Sequence, residues 1–76
     1  MTTEQIKKVC NKFFVVANGI FETKRWEFET YEEAYEFGEK SNILYDYIEA
    51  GQELHGHYIM IAKSWRKNEW FTIKFY

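Results

Sequence analysis

The spacing of hydrophobic residues near the start of the chain predicts a short helix over residues 2–12. Its apolar side chains recur three or four positions apart and fall on one stripe, made of Ile6, Val9, Cys10 and Phe13. Thr2 or Thr3 is suited to accept a hydrogen bond from the free amides of the first turn. The lysines of this segment lie off the stripe, on the side that we expect to face solvent.

A second helix is predicted over residues 31–40. Thr30 followed three positions later by Glu33 matches a capping box, which marks a helix start. The inner stripe is apolar or small and consists of Tyr31, Ala34, Tyr35 and Gly38. The outer face is acidic and consists of Glu32, Glu33, Glu36 and Glu39.

Between these helices the pattern predicts a β-hairpin. Residues 13–17 are β-branched, aromatic or small, and the Asn18-Gly19 pair that follows is a strong signal for a two-residue turn. Residues 20–29 are then the returning strand.

A two-residue loop also predicts which side chains share a face. It sets Val16 opposite Phe21, and Trp26 then falls on the other face from Phe21. Either both faces are partly covered or a bulge near residues 24–25 resets the alternation, and we favour the bulge.

The second half of the chain predicts three strands. Residues 43–50 fit either an alternating strand or a helical stripe ending at Gly51, and their tyrosine and isoleucine content favours the strand. A loop over residues 51–56 follows, and residues 58–65 and 70–76 form a hairpin around residues 66–69.

Alternation predicts the two faces of this last hairpin. One face is expected in the core and consists of Tyr58, Met60, Ala62, Ser64, Phe71, Ile73 and Phe75. The other face consists of Ile59, Ile61, Lys63, Trp65, Trp70, Thr72, Lys74 and Tyr76. It is either a binding surface or a second buried face covered by a helix.

The predicted order is α-β-β-α-β-β-β. It indicates a small α+β two-layer domain, with a mainly antiparallel sheet of four to five strands packed by one or two helices. The chain has 76 residues, so we expect one domain over residues 1–76. Aromatic residues make up 21% of it and supply the core that so short a chain needs without disulfides.

The sequence favours a cytoplasmic location without membrane attachment. Cys10 is the single cysteine and cannot form an internal disulfide, which is typical of reducing compartments. The longest unbroken apolar run, residues 13–17, is far shorter than a membrane span, and residues 1–12 do not resemble a signal peptide.

No set of residues predicts catalysis, a cofactor or a metal centre. His55 and His57, with Glu53 as a third ligand, are the strongest metal-like group, but two loop histidines beside a turn glycine are the commoner explanation. Cys10 lies on an apolar stripe, and the glycines form no phosphate loop. We therefore expect a protein that is not an enzyme.

Charge is distributed unevenly along the chain, whose net charge is -2. Residues 22–53 carry a net charge of -7, whereas both flanking segments are positive. The acidic helix face is therefore either a solvated surface that aids solubility or a docking surface for a protein with a basic surface. The predicted partner-binding residues are Glu32, Glu33, Glu36 and Glu39 on the helix, and Lys63, Trp65, Arg66, Lys67, Trp70 and Lys74 on the C-terminal hairpin.

These features favour a small non-enzymatic protein that acts by protein–protein interaction as a monomer or homodimer. In size and style it resembles accessory or inhibitor proteins of phages and mobile elements, including anti-defence inhibitors. The alternative is a single-stranded nucleic-acid-binding module that stacks bases on the tryptophans of the C-terminal hairpin. Residues 26–34 are also similar to the strand-to-helix joint of the arm-binding domains of tyrosine integrases, but they lack the basic strands which those domains use on DNA.

Overall fold

A computed structural model of the chain describes residues 2–66 and 69–72, with only the backbone described at Arg66. The elements in chain order are α1 (Thr3–Val9), β1 (Lys12–Asn18), β2 (Thr23–Phe28), α2 (Tyr31–Lys40), β3 (Tyr47–Leu54), β4 (His57–Arg66) and β5 (Glu69–Thr72). The five strands form one antiparallel sheet in the order β2-β1-β3-β4-β5. The predicted α+β class and element order are confirmed. No helix among the described residues is both long and apolar enough to span a bilayer.

Both helices begin at the predicted threonines. The Thr2 side chain accepts a hydrogen bond from the amide of Gln5, whose own side chain accepts one from the amide of Thr2. Thr30 in the same way accepts from the amide of Glu33. These bonds satisfy amides that the first helical turn leaves without partners, which explains why the sequence fixes both starts. The first helix is shorter than predicted and ends at Val9.

Both helices pack on the same face of the sheet, which we call the covered face. Ile6 of α1 and Ala34 of α2 are fully buried there against Phe13, Val15 and other sheet residues. An ion pair between Lys7 and Glu32 joins the two helices. The opposite face of the sheet, which we call the open face, has neither described helix on it.

The hairpin between β1 and β2 differs from the prediction. Asn18 pairs with Thr23, so the loop is the four residues 19–22 instead of two. The pairing then continues without a break to Phe13 opposite Phe28, and the predicted bulge is absent from this pair of strands. The longer loop leaves Ile20 and Phe21 outside the sheet, where they are 94% and 97% exposed.

The third strand lies four residues later than predicted. Residues 43–46 are irregular, and β3 extends through the segment that was expected to be a loop. A tight turn at His55 and Gly56, both with positive φ, joins β3 to β4. This corrects the prediction of a strand over 43–50 and moves the loop to the two turn residues.

Two irregularities in β4 alter the predicted faces of the C-terminal hairpin, although Ala62 and Ser64 are buried as predicted. One extra residue lies between the pairs Ala50–Ala62 and Gly51–Met60, and another between Lys63–Phe71 and Arg66–Glu69. Tyr58 and Met60 therefore lie on the open face instead of in the core, as does Phe71, which shares that face with Lys63. Ile61 and Trp70 belong to the buried core instead. The expectations for Ile73, Lys74, Phe75 and Tyr76 lie outside the described residues.

Candidate functional site

The open face of the sheet is the candidate site. It carries seven large apolar side chains, contributed by four strands: Phe14, Val16, Tyr47, Tyr58, Met60, Trp65 and Phe71. Charged side chains share this face: Arg25, Glu49 and Lys63 lie among the apolar residues, and Lys12, Glu27 and Glu53 lie at its border. Of the seven apolar side chains, Val16 and Tyr47 are buried, whereas Trp65 and Phe71 are about half exposed. A solvated sheet face normally carries polar residues, so two half-exposed aromatic residues on it are unusual.

A buried carboxylate organises the centre of the open face. Glu49 is only 5% exposed, and its Oε2 accepts hydrogen bonds from Arg25 Nη2 at 2.6 Å and from the Tyr58 hydroxyl at 2.7 Å. Burial, followed by the hydrogen bond to Glu49, raises the pKa of Tyr58. The phenol therefore stays protonated and remains a donor to the carboxylate.

Aromatic packing fixes the same group from the other side. The Arg25 guanidinium lies 4.5 Å from the centre of the Phe14 ring, and Phe14 meets Tyr58 edge to face with ring centres 5.1 Å apart. The Tyr58 ring crosses Gly51, where any added Cβ would collide with it. Because Gly51 has no side chain, the Tyr58 ring can cross β3 there and reach Glu49, which lies two residues before Gly51.

Lys63 and Trp65 form a second group on this face. The Lys63 ammonium lies 4.5 Å from the centre of the Tyr47 ring and 5.7 Å from that of Trp65, and the two rings are 4.6 Å apart. Lys63 forms no ion pair with a carboxylate of the described residues. Its ammonium group is therefore held by aromatic faces.

An acidic cluster borders the other side of the open face. Lys12 Nζ lies 2.8 Å from Glu29, 3.3 Å from Glu27 and 3.5 Å from Glu53. Hydrogen bonds to Glu29 and Glu27 raise the pKa of Lys12, so it remains a cation. One cation among three carboxylates leaves a net charge of -2. We call these four residues the Lys12 cluster.

The structure separates the two tryptophans that the sequence had placed together. Trp65 is 52% exposed on the open face, beside Phe71 at 56%. Trp70 is 7% exposed on the covered face, where its indole N–H donates to Thr3 Oγ1 at 2.9 Å and its ring packs against Tyr31. The Arg66 side chain, Lys67 and Lys74 lie outside the described part of the chain.

The acidic residues of α2 lie on the opposite side of the molecule from the open face. All four are exposed, but Glu32 pairs with Lys7 at 2.5 Å and Glu36 with Lys40 at 2.9 Å. Those lysines lower the pKa of each partner glutamate. Only Glu33 and Glu39 keep a charge without a lysine partner among the described residues, so this surface is less acidic than its sequence suggests.

The remaining candidate chemistry is not assembled into a site. His55 is in a turn, and His57 begins β4. Within residues 2–66 and 69–72 there is no group of three or more His, Cys, Asp or Glu side chains placed to hold a metal. Burial raises the pKa of the Cys10 thiol to about 11, so it is unsuited to act as a nucleophile near neutral pH.

Comparison of this chain with protein-family models, curated proteins and solved structures finds no match. Its function is therefore inferred from the residues of the open face. Several of these were not predicted as site residues, including Arg25, Glu49 and Tyr58. The one signal in the sequence was Glu49 itself, a charged residue inside a run of apolar strand positions.

Proposed function

We propose that this protein is a non-catalytic protein-binding module and that the open face of its sheet is the contact surface. The observation that supports this is a sheet face rich in aromatic residues with neither described helix against it. An apolar sheet face gains stability when another layer covers it. Trp65 and Phe71, both about half exposed, are the residues we expect to act as anchors, since aromatic residues dominate interface energies.

A protein partner fits this face better than single-stranded nucleic acid does. Glu27, Glu29 and Glu53 border the same face, and phosphates would be repelled there. With Trp70 buried, one exposed tryptophan remains of the pair predicted for base stacking. The nucleic-acid alternative rests on Lys63 and Trp65, and the experiment below tests it directly.

The charges of the face define the partner's chemistry. The Lys12 cluster suits a basic patch, whereas the basic partner was predicted to bind the acidic face of α2, and Lys63 suits an acidic group. A partner with both signs of charge beside apolar side chains would match. A role as an accessory or inhibitor protein is compatible with this mode, because covering a partner's surface requires no catalytic group.

Site-specific photo-crosslinking tests the proposal. A photoreactive phenylalanine analogue replaces Phe71 on the open face or, as a matched control, Glu36 on the helix layer. In an extract of the organism that encodes the chain, we expect a discrete protein adduct from position 71 that is lost when Trp65→Ser is added. A nuclease-sensitive adduct would support the nucleic-acid alternative, and adducts from position 36 alone would refute the proposed surface.

A further inference from the structure

We propose that the partner of the open face is a second copy of this chain, bound face to face about a two-fold axis. This inference rests on the proposed function and names its partner. Lys63 of each copy would lie against the Lys12 cluster of the other, with apolar side chains between the two contacts. Three features of the face support this: its charge arrangement, its size and the aromatic residues that surround the central Arg25–Glu49 ion pair.

The open face is self-complementary in charge. Lys63 has no carboxylate partner among the described residues, whereas the Lys12 cluster has two carboxylates more than it has cations. Lys63 is in β4 and Lys12 in β1, and both strands pair with β3, so the two charges lie on opposite sides of the central strand. Adjacent strands are about 4.8 Å apart, which separates the backbones of the two lysines by roughly 10 Å across the sheet. They are also two positions apart along β3, since Lys12 pairs with Gly51 and Lys63 with Glu49.

This arrangement selects the position of the symmetry axis. The axis would lie in the interface, midway between Lys63 and the Lys12 cluster and perpendicular to the line that joins them. A rotation about this axis places Lys63 of one copy over the Lys12 cluster of the other. Each copy then supplies the cation for one contact and the carboxylates for the other, as a two-fold interface requires. An axis parallel to that line would instead set the two acidic clusters close together, which repulsion disfavours.

The size of the face suits a dimer. The two longest dimensions of the molecule are 33 and 25 Å. Because no other layer of the described residues covers this side, the contact can extend over much of it, towards the roughly 800 Å² that a standard protein–protein interface takes from each partner. Phe14, Tyr58 and Met60 would pack near the axis, and Trp65 and Phe71 would lose the exposure that they now have.

Sedimentation velocity on the purified chain tests this inference at concentrations from about 1 μM to 1 mM. The highest concentration detects a dimer whose association free energy is as weak as about -4 kcal/mol. The chain has a mass of 9.3 kDa, and we expect it to approach twice that mass as concentration rises. Lys63→Glu should weaken dimerisation by about tenfold or more. Lys8→Glu on the exposed side of α1 is the matched control and should leave it unchanged.

A compensating variant tests the geometry. Because Glu53 belongs to the acidic cluster, Lys63→Glu combined with Glu53→Lys should restore much of the lost association. Circular dichroism of each variant confirms folding, and Lys63→Gln replaces Lys63→Glu if the latter does not fold. The inference is overturned if the chain stays monomeric up to about 1 mM, because its association free energy would then be weaker than about -4 kcal/mol. It is also overturned by a dimer that is insensitive to Lys63→Glu.

The two proposals fail in different ways. A monomeric chain that still crosslinks another protein from position 71 overturns the second-copy inference and leaves the binding function standing. A dimer that forms while position 71 gives no adduct of any kind refutes the open face as the contact surface for both.

Discussion

Gly51→Ala tests the close packing on which the open face depends. A Cβ at Gly51 would lie 2.6 and 2.8 Å from two ring carbons of Tyr58, and closer still to the carbonyl oxygen of Ile59. Favourable carbon–carbon contacts are about 3.5–4.0 Å, so the ring must move away and the β3–β4 pairing must shift.

The expected cost has two parts. Overpacking a tight site costs about 1–3 kcal/mol. Moving the ring also breaks the hydrogen bond from Tyr58 to Glu49, and bonds to charged groups contribute about 1.5–3 kcal/mol. In the opposite direction, alanine lowers the entropy of the unfolded chain, which stabilises the folded state by about 0.4–1 kcal/mol. We therefore expect a net loss of about 3 kcal/mol, a large part of the roughly 4–11 kcal/mol typical of a chain this long.

Urea denaturation followed by tryptophan fluorescence measures this loss. Gly56→Ala is the control: no atom lies within 4 Å of its added Cβ, but its φ of 81° costs about 1–2 kcal/mol in a residue with a side chain. In a Tyr58→Ala background Gly51→Ala should cost less, because the ring is gone. Equal losses for Gly51→Ala and Gly56→Ala, or strict additivity with Tyr58→Ala, would refute the close approach of Tyr58.

Three further predictions concern single groups. Burial raises the pKa of the Cys10 thiol to about 11, so at about pH 8 it should react with a disulfide reagent about 100-fold more slowly in the native protein than in denaturant. A native rate within about tenfold of the rate in denaturant would contradict its burial. The folded-state pKa of Tyr58 lies above its unfolded value of about 10, so its contribution to stability is present below that pH and lost as pH rises further. The decline in unfolding free energy at alkaline pH should therefore be shallower in Tyr58→Phe, and an unchanged slope would argue against the shift. Trp70→Phe should destabilise the fold by about 2 kcal/mol through the lost bond to Thr3 and lost volume, whereas the matched Trp65→Phe should change stability little. Similar effects of the two in thermal denaturation would contradict their placement on opposite faces.

The sequence by itself determined the elements that depend on local interactions. Both helix starts follow from threonines whose bonds reach only three residues ahead, at Thr2 and Thr30. The apolar stripes around Ile6 and Ala34 follow from the helical period, and both residues are fully buried. These features can be predicted without knowing the tertiary contacts, because the interacting groups lie within one or two helical turns of each other.

Only the tertiary structure decided which face each strand residue occupies. Asp46, 28 residues from Asn18 in sequence, accepts a hydrogen bond from the Asn18 amide and helps to hold a four-residue loop where Asn-Gly indicated two. Two extra residues in β4 reverse the alternation, which buries Trp70 and brings Phe71 to the side of Lys63. A strand side chain changes face with every single-residue shift of register, and register is set by contacts with distant segments. The composition of the open face therefore depends on the pairing between strands, and no local sequence pattern predicts it.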